Sequence, residues 1–145
     1  MIYKSMDFRN VAIKVVKESG KVLNENFGHV KGIRIKMGDW RELVTDVDMK
    51  ANDIIIQMLK ENFPDHGIVS EESEPIEGND YKWYVDPLDG TTNYTLGIPF
   101  SATCVGLVLR GTPILGVVFN PMMNELFVGE DGKGATLNGE KIQVS

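Results

Sequence analysis

The stretch Trp83-Tyr84-Val85-Asp86-Pro87-Leu88-Asp89-Gly90-Thr91-Thr92-Asn93 is the part of this 145-residue chain from which the rest can be read. Trp83 to Val85 is a short apolar run suited to a strand. Two aspartates around a proline follow as a charged elbow, and then glycine, hydroxyls and an asparagine of the kind that open a helix. Pro87 biases Asp86 toward an extended backbone and fixes its own φ, so the two carboxylates are held in a restricted geometry. Leu88 between them is aliphatic and can offer only its backbone carbonyl. Such an elbow can hold a cation beside backbone N–H groups aimed at a phosphate. By itself Pro-x-Asp-Gly is more often an ordinary turn than a metal site, so the flanking sequence has to decide.

Upstream, apolar residues recur with a helical period from Asp7 to Phe27: Phe8, Val11, Val15, Val22 and Phe27, widened by Ala12, Val16 and Leu23. Gly28 supplies a stop, and Gly20 weakens the interior. Ile33 to Met37 alternates apolar and basic residues as a half-buried strand does, and Gly38-Asp39 turns it. Leu43-Val44 leads into a second helix with Thr45 as N-cap, Asp46 and Asp48 in its first turn, and Val47, Ala51, Ile54, Ile55, Met58 and Leu59 on its apolar face. Phe63 to Gly67 ends it. Ile68-Val69-Ser70 reads as a short strand running into Glu71-Glu72, and Pro75 to Asp80 as an exposed loop.

Downstream the pattern is strand after strand: Ser101 to Arg110, Pro113 to Asn120, and Glu125 to Gly129. A glycine-rich turn at Asp131 to Gly134 follows, and then an Asn138-Gly139 hairpin. The order predicts an α+β fold, with two N-terminal helices packed on one face of a largely antiparallel sheet.

Composition narrows the function classes. Hydrophobic content of 42% with 25% charged residues is globular. No apolar run approaches the roughly 18 residues of a membrane span. The net charge of −6 disfavours nucleic acid and anionic membranes as partners. It also means that a phosphorylated substrate needs local positive charge, which divalent cations would provide. The single cysteine, Cys104, lies in an apolar run and reads as a small buried core residue. With no partner for an internal disulfide, an intracellular, reducing, cytoplasmic setting is expected.

Three acidic clusters, Asp46/Asp48, Glu71/Glu72 and Asp86/Asp89, each follow an apolar segment or open a helix. Their hard oxygen donors suit Mg²⁺, which works through a few carboxylates, water and substrate phosphate. Asp46 and Asp48 could be helix-start residues only, and Glu71-Glu72 a solvated loop.

These strings together resemble the inositol monophosphatase family of Mg²⁺-dependent, lithium-sensitive phosphatases, in the superfamily that includes fructose-1,6-bisphosphatase. The matching residues are Leu43-Val44-Thr45 with Asp48, Glu71-Glu72-Ser73, Trp83 to Asn93, Pro99-Phe100, Gly132-Lys133-Gly134-Ala135, Asn138-Gly139 and Val144-Ser145. The resemblance implies the N-terminal half of the sugar-phosphatase αβαβα layered fold. It implies a first metal held by Glu71, Asp86 and the Leu88 carbonyl, and a second held by Asp86 and Asp89. Thr91, Glu71 and Asp48 are implied as catalytic residues that position the attacking water, and Gly90 and Thr91 as the phosphate-binding amides. Lys36 and Met37 fall in a segment that corresponds to a mobile loop in the family, and Lys36 receives no role.

The family's chain is much longer, and its second signature, a Trp-Asp pair, does not occur here; Trp40 precedes Arg41. The expectation is therefore residues 1–145 as the N-terminal, metal-binding domain, with the C-terminal domain absent. The expected function is hydrolysis of a small phosphomonoester, inositol 1-phosphate first, with impaired turnover in the half-length chain. Fructose 1,6-bisphosphate and 3′-phosphoadenosine nucleotides are alternative substrates, and a non-catalytic metal-binding or assembly module is an alternative role. The resemblance further implies a homodimer, or association with a complementing C-terminal half.

Overall fold

Phe8, Ala12, Val15, Val16, Val22 and Leu23 are all buried, as their helical spacing requires. They lie on α1 (Ser5–Asn26), which ends before Gly28 at a φ of 82°. The computed structural model describes residues 5–30, 32–35 and 43–145. After α1 come β1 (Arg34–Ile35), β2 (Leu43–Val44), α2 (Asp46–Asn62), β3 (Gly67–Ser70), β4 (Ser73–Ile76) and β5 (Tyr81–Asp89). The chain continues through α3 (Thr91–Thr95), β6 (Ala102–Leu109), β7 (Thr112–Asn120), β8 (Glu125–Glu130), β9 (Gly134–Leu137) and β10 (Glu140–Ile142). The expected strand from Ile33 to Met37 is described only as β1, paired antiparallel with β2. Lys36, Met37, the Gly38-Asp39 turn, Trp40 and Arg41 lie outside the described residues.

The main sheet has the order β10-β9-β8-β7-β6-β5-β3-β4, and every neighbouring pair is antiparallel except β3 and β5. Strand alternation sends Trp83, Val85, Val105, Leu107, Val117 and Val128 to one face, where they pack with Val15, Val16, Ile55, Leu59 and Phe63 of the two helical segments. Trp83, Leu107, Ile55 and Leu59 are wholly buried. Burying a side chain of that size contributes about 2–3 kcal/mol, so this layer is the main adhesive between helices and sheet. The opposite face carries Tyr84, 47% exposed, and Val118, 37% exposed.

A second cluster of Val22, Leu23, Val47, Ala51, Leu88 and Tyr94 joins the end of α1 and the start of α2 to the Asp-Pro-Leu-Asp stretch and α3. The Tyr94 hydroxyl donates to the Leu23 carbonyl at 2.6 Å. Burial, reinforced by the charge of Asp48, pushes the Tyr94 phenol up to about 12. No described helix is long and apolar enough to cross a membrane.

The structure departs from the sequence expectations in four places. Pro75 and Ile76 belong to β4 rather than to a loop; proline is tolerated there because β4 is the sheet's edge. The central stretch is not a strand that stops at an elbow, since β5 runs on through Pro87 to Asp89. Gly20 is not a weak spot in α1: a Cβ there would lie 2.7 Å from the Phe119 ring, so the missing side chain is what lets α1 settle over β7. Cys104 is half-buried on the face away from the helices, because its position in β6 pairs it with Asp86. The Asn138-Gly139 hairpin forms as expected, with both residues at positive φ, 50° and 85°, as a two-residue turn of this hand needs.

Candidate active site

Parallel pairing of β3 with β5 sets the first element of the site. The register aligns Ser70 with Val85, so the next residues, Glu71 and Asp86, emerge side by side. The Glu71 N–H donates to the Val85 carbonyl at 3.4 Å, which carries the pairing one residue beyond β3. Glu71 and Asp86 line one cavity of about 470 Å³ on the open face, together with Ser70, Tyr84 and Cys104.

A β-bulge sets the second element. On β5, Asp86 pairs with Cys104 and Asp89 with Ala102, so three residue steps oppose two. In a regular strand, residues three apart point to opposite faces. The extra residue cancels that alternation and brings Asp89 to the same side as Asp86. Pro87 fits within such an irregularity because it has no N–H to give to a ladder. Leu88 points the other way, into the second apolar cluster. Asp89 and Gly90 then line a neighbouring cavity of about 330 Å³ with Asn93, Phe100 and Ser101.

The convergence of charge is visible at Cys104. Burial is the first cause pushing its thiol up to about 12, and Asp86, Asp89 and Glu71 add to it in that order. The thiol is therefore protonated and is no nucleophile at neutral pH.

The third element comes from α2. Asp48 is wholly buried. Its Oδ2 accepts the Thr45 N–H at 2.8 Å and the Thr45 hydroxyl at 2.6 Å. Its Oδ1 lies 3.1 Å from the Thr91 Oγ1, which is equally placed to donate to the Leu88 carbonyl at 3.1 Å. Thr91 is the first residue of α3 and follows Gly90, which adopts a left-handed conformation at φ 82°. A Cβ at Gly90 would also meet the Phe100 carbonyl at 3.0 Å, so both conformation and space call for glycine. Asn93 Nδ2 donates to that same carbonyl at 3.0 Å, and Asn120 Nδ2 donates to the Pro99 carbonyl at 3.1 Å, pinning the Pro99-Phe100 segment beside the motif.

Of the residues singled out from sequence, the structure thus pairs Glu71 with Asp86, Asp89 with Gly90, and Asp48 with Thr91 and, through it, the Leu88 carbonyl. It does not gather them into a finished cage: no group of three or more His, Cys, Asp or Glu among the described residues is arranged to hold a metal ion. The donor set is all oxygen, which suits Mg²⁺ and not a soft metal. Sequence reasoning missed Asn52 and Ser70, whose side chains bond at 2.5 Å beneath Glu71, and Asn93 and Asn120. The spacing of Asn52 four residues after Asp48, on the same helical face, was the available signal.

Two helices over a mostly antiparallel sheet, with carboxylates at the ends of β3 and β5, is the framework of a known class of phosphatases. The inositol monophosphatase family model matches residues 5–145, and the chain belongs to that family. It is 42% identical over 143 residues to inositol monophosphatase 3 of Solanum lycopersicum, a match covering 95% of this chain and 53% of that one. Its fold matches the extragenic suppressor protein suhB of Bartonella henselae with a TM-score of 0.90 at 37% identity, covering 96% of this chain and 55% of the other. A Thermotoga maritima IMPase gives a TM-score of 0.89 at 35% identity, covering 96% and 54%. The chain spans about half the length of the curated relatives it matches.

Proposed function

We propose that the chain is the metal-binding N-terminal part of a Mg²⁺-dependent phosphatase that hydrolyses a small polyol or sugar phosphate, inositol 1-phosphate being the first choice. The observation that carries this reading is the combination of parallel register and bulge, which turns Glu71, Asp86 and Asp89 toward one side next to the Thr91–Asp48 pair. Glu71, Asp86 and the Leu88 carbonyl would hold one Mg²⁺, and Asp86 with Asp89 a second. Bound there, the cations supply the positive charge that a phosphate ester needs against a chain of net charge −6, and they acidify water. The protein's own part is positioning. Thr91, Glu71 and Asp48 orient the attacking water, and the Gly90 and Thr91 amides receive the phosphate oxygens. The alcohol side of the substrate is read by a complementing C-terminal half; the alternative partner is a second copy of the chain in a homodimer.

The test is Mg²⁺ titration of the 145-residue chain, followed by calorimetry and thermal unfolding, with phosphate release from inositol 1-phosphate measured alongside. Mg²⁺ should raise the unfolding temperature of the wild type but not of Glu71→Gln or Asp86→Asn, since a ligand bound only by the folded state stabilises it. Release of phosphate should be slow for the chain alone. Absence of any Mg²⁺ response would overturn the metal reading, and fast metal-dependent turnover would overturn the view that a second half is required.

A further inference from the structure

Helix α2 presents a buried polar seam on an otherwise apolar side. Thr45 at its N-cap, Asp48 in its first turn and Asn52 one turn later are 0%, 0% and 1% exposed, among Val47, Ala51, Ile55 and Leu59. Buried polar groups of this kind are costly unless bonded. Here the bonds leave the helix. Asp48 Oδ1 accepts from Thr91, at the start of α3. Asn52 Oδ1 accepts from the Ser70 hydroxyl, and Ser70 Oγ in turn accepts the Glu72 N–H at 3.2 Å, bracketing Glu71. One helix face therefore touches both sides of the candidate site.

We propose that Thr45 and Asn52 are positioning residues, the first for the Asp48–Thr91 pair and the second for Glu71. The proposal rests on the phosphatase reading above for the roles of Thr91 and Glu71. Thr45 gives Asp48 Oδ2 two donors at once, its N–H and its hydroxyl. The hydroxyl can donate because its lone pairs meanwhile accept the Val47 and Asp48 N–H groups at 3.2 and 3.4 Å. With Oδ2 occupied twice, the carboxylate plane is fixed and Oδ1 is left facing Thr91. A capping box needs the Thr45 hydroxyl oxygen as acceptor and the return bond to the N-cap N–H; the proton that the hydroxyl gives to Oδ2 is additional, and it is the one that controls rotation of Asp48. Asn52 does for the β3 end what Asp48 does for α3, holding Ser70 so that its hydroxyl caps the turn through Glu71 and Glu72.

The experiment uses the 145-residue chain and two readouts. Three-bond scalar couplings report the χ1 rotamer of Thr91, with or without turnover. Wild type and Thr45→Ser should show one Thr91 rotamer, and Thr45→Val a mixture. Where wild type turns over, Thr45→Val should lose at least about tenfold in kcat with little change in KM, and Thr45→Ser should restore it. Should the valine variant not fold, Thr45→Gly replaces it, because glycine is tolerated at N-caps and keeps the N–H while lacking the hydroxyl. For Asn52, the Mg²⁺ affinity measured by calorimetry should fall several-fold in Asn52→Leu and recover in Asn52→Asp, which keeps the acceptor oxygen. A single Thr91 rotamer in the folded valine or glycine variant overturns the role of Thr45, and unchanged Mg²⁺ affinity in Asn52→Leu overturns that of Asn52. A wild type that neither binds Mg²⁺ nor releases phosphate sinks the phosphatase reading and the site role given to Asn52, while the rotamer data still judge Thr45.

Discussion

Asp48 and Thr91, 43 residues apart in sequence, meet through a 3.1 Å hydrogen bond that joins the first turn of α2 to the first residue of α3. The same carboxylate closes the capping box of α2 by accepting the Thr45 N–H. Helix stability and the geometry at Thr91 therefore depend on one side chain. Asp48→Ala leaves the buried Thr45 N–H and hydroxyl without their acceptor, and should cost about 2–3 kcal/mol. Urea denaturation checks this; a loss within experimental error of zero would show that water replaces the carboxylate without penalty.

Gly20 and Phe119 offer a change of sign. In a helix interior alanine is favoured over glycine by about 1 kcal/mol, but at Gly20 its methyl would overlap the Phe119 ring. Overpacking costs about 1–3 kcal/mol, so Gly20→Ala should be destabilising in the wild type. In a Phe119→Leu background the same change should stabilise. Four unfolding curves complete the cycle, and equal effects in both backgrounds would refute the contact.

His66 makes stability depend on acid. It is 2% exposed and stacks between Phe63 at 4.9 Å and Tyr81 at 4.7 Å. Trp83 Nε1 donates to its Nδ1 at 3.0 Å, a bond that exists only while that nitrogen is unprotonated. Burial holds the imidazole below its ordinary 6.5, with Asp65 opposing. The unfolded chain therefore takes up the proton first as pH falls. The His66 contribution is complete above about 6.5 and is lost as pH drops through the window below it. An NMR titration of the His66 ring should give a midpoint under 6.5, and the unfolding free energy should decline in that window. A midpoint at or above 6.5 would contradict the burial argument.

Cys104 should be slow to react. With its thiol pushed up to about 12 by burial and the nearby carboxylates, Cys104 is held in the protonated form at pH 8. Labelling by a disulfide reagent should be far slower in the folded protein than in urea, and Asp86→Asn should speed it modestly. A folded-state rate equal to that of the unfolded chain would show the thiol to be neither buried nor crowded by charge.

What could be read from sequence divides along physical lines. Periodicity found both long helices and the strands after residue 100, because one-sided burial imposes 3.6- and 2-residue repeats that Val15, Ile55, Val105 and Val117 obey. Thr45 was legible as a cap because capping is local. The paired placement of Glu71 with Asp86 came only through the family resemblance, since it depends on the register between two strands that no local pattern encodes. Gly20 was misjudged for a similar reason: its value lies in Phe119, a neighbour only after folding. Cys104 was placed in the core because its neighbours are apolar, yet strand alternation sends it outward. Ser70 and Asn52 were passed over because neither belongs to the motif; only the four-residue spacing from Asp48 to Asn52 hinted at it, and their bond appears only when α2 lies over β3.

The irregularity between Asp86 and Asp89 carries a consequence for how this surface can vary. Which way those two side chains look is stored in the number of links between them and not in the chemistry of Pro87 or Leu88. Swapping either residue can loosen the corner but leaves the tally intact. Adding one link to the facing strand, between Ala102 and Cys104, would match three steps with three, restore regular pairing and aim an aspartate into the oily layer beneath the helices.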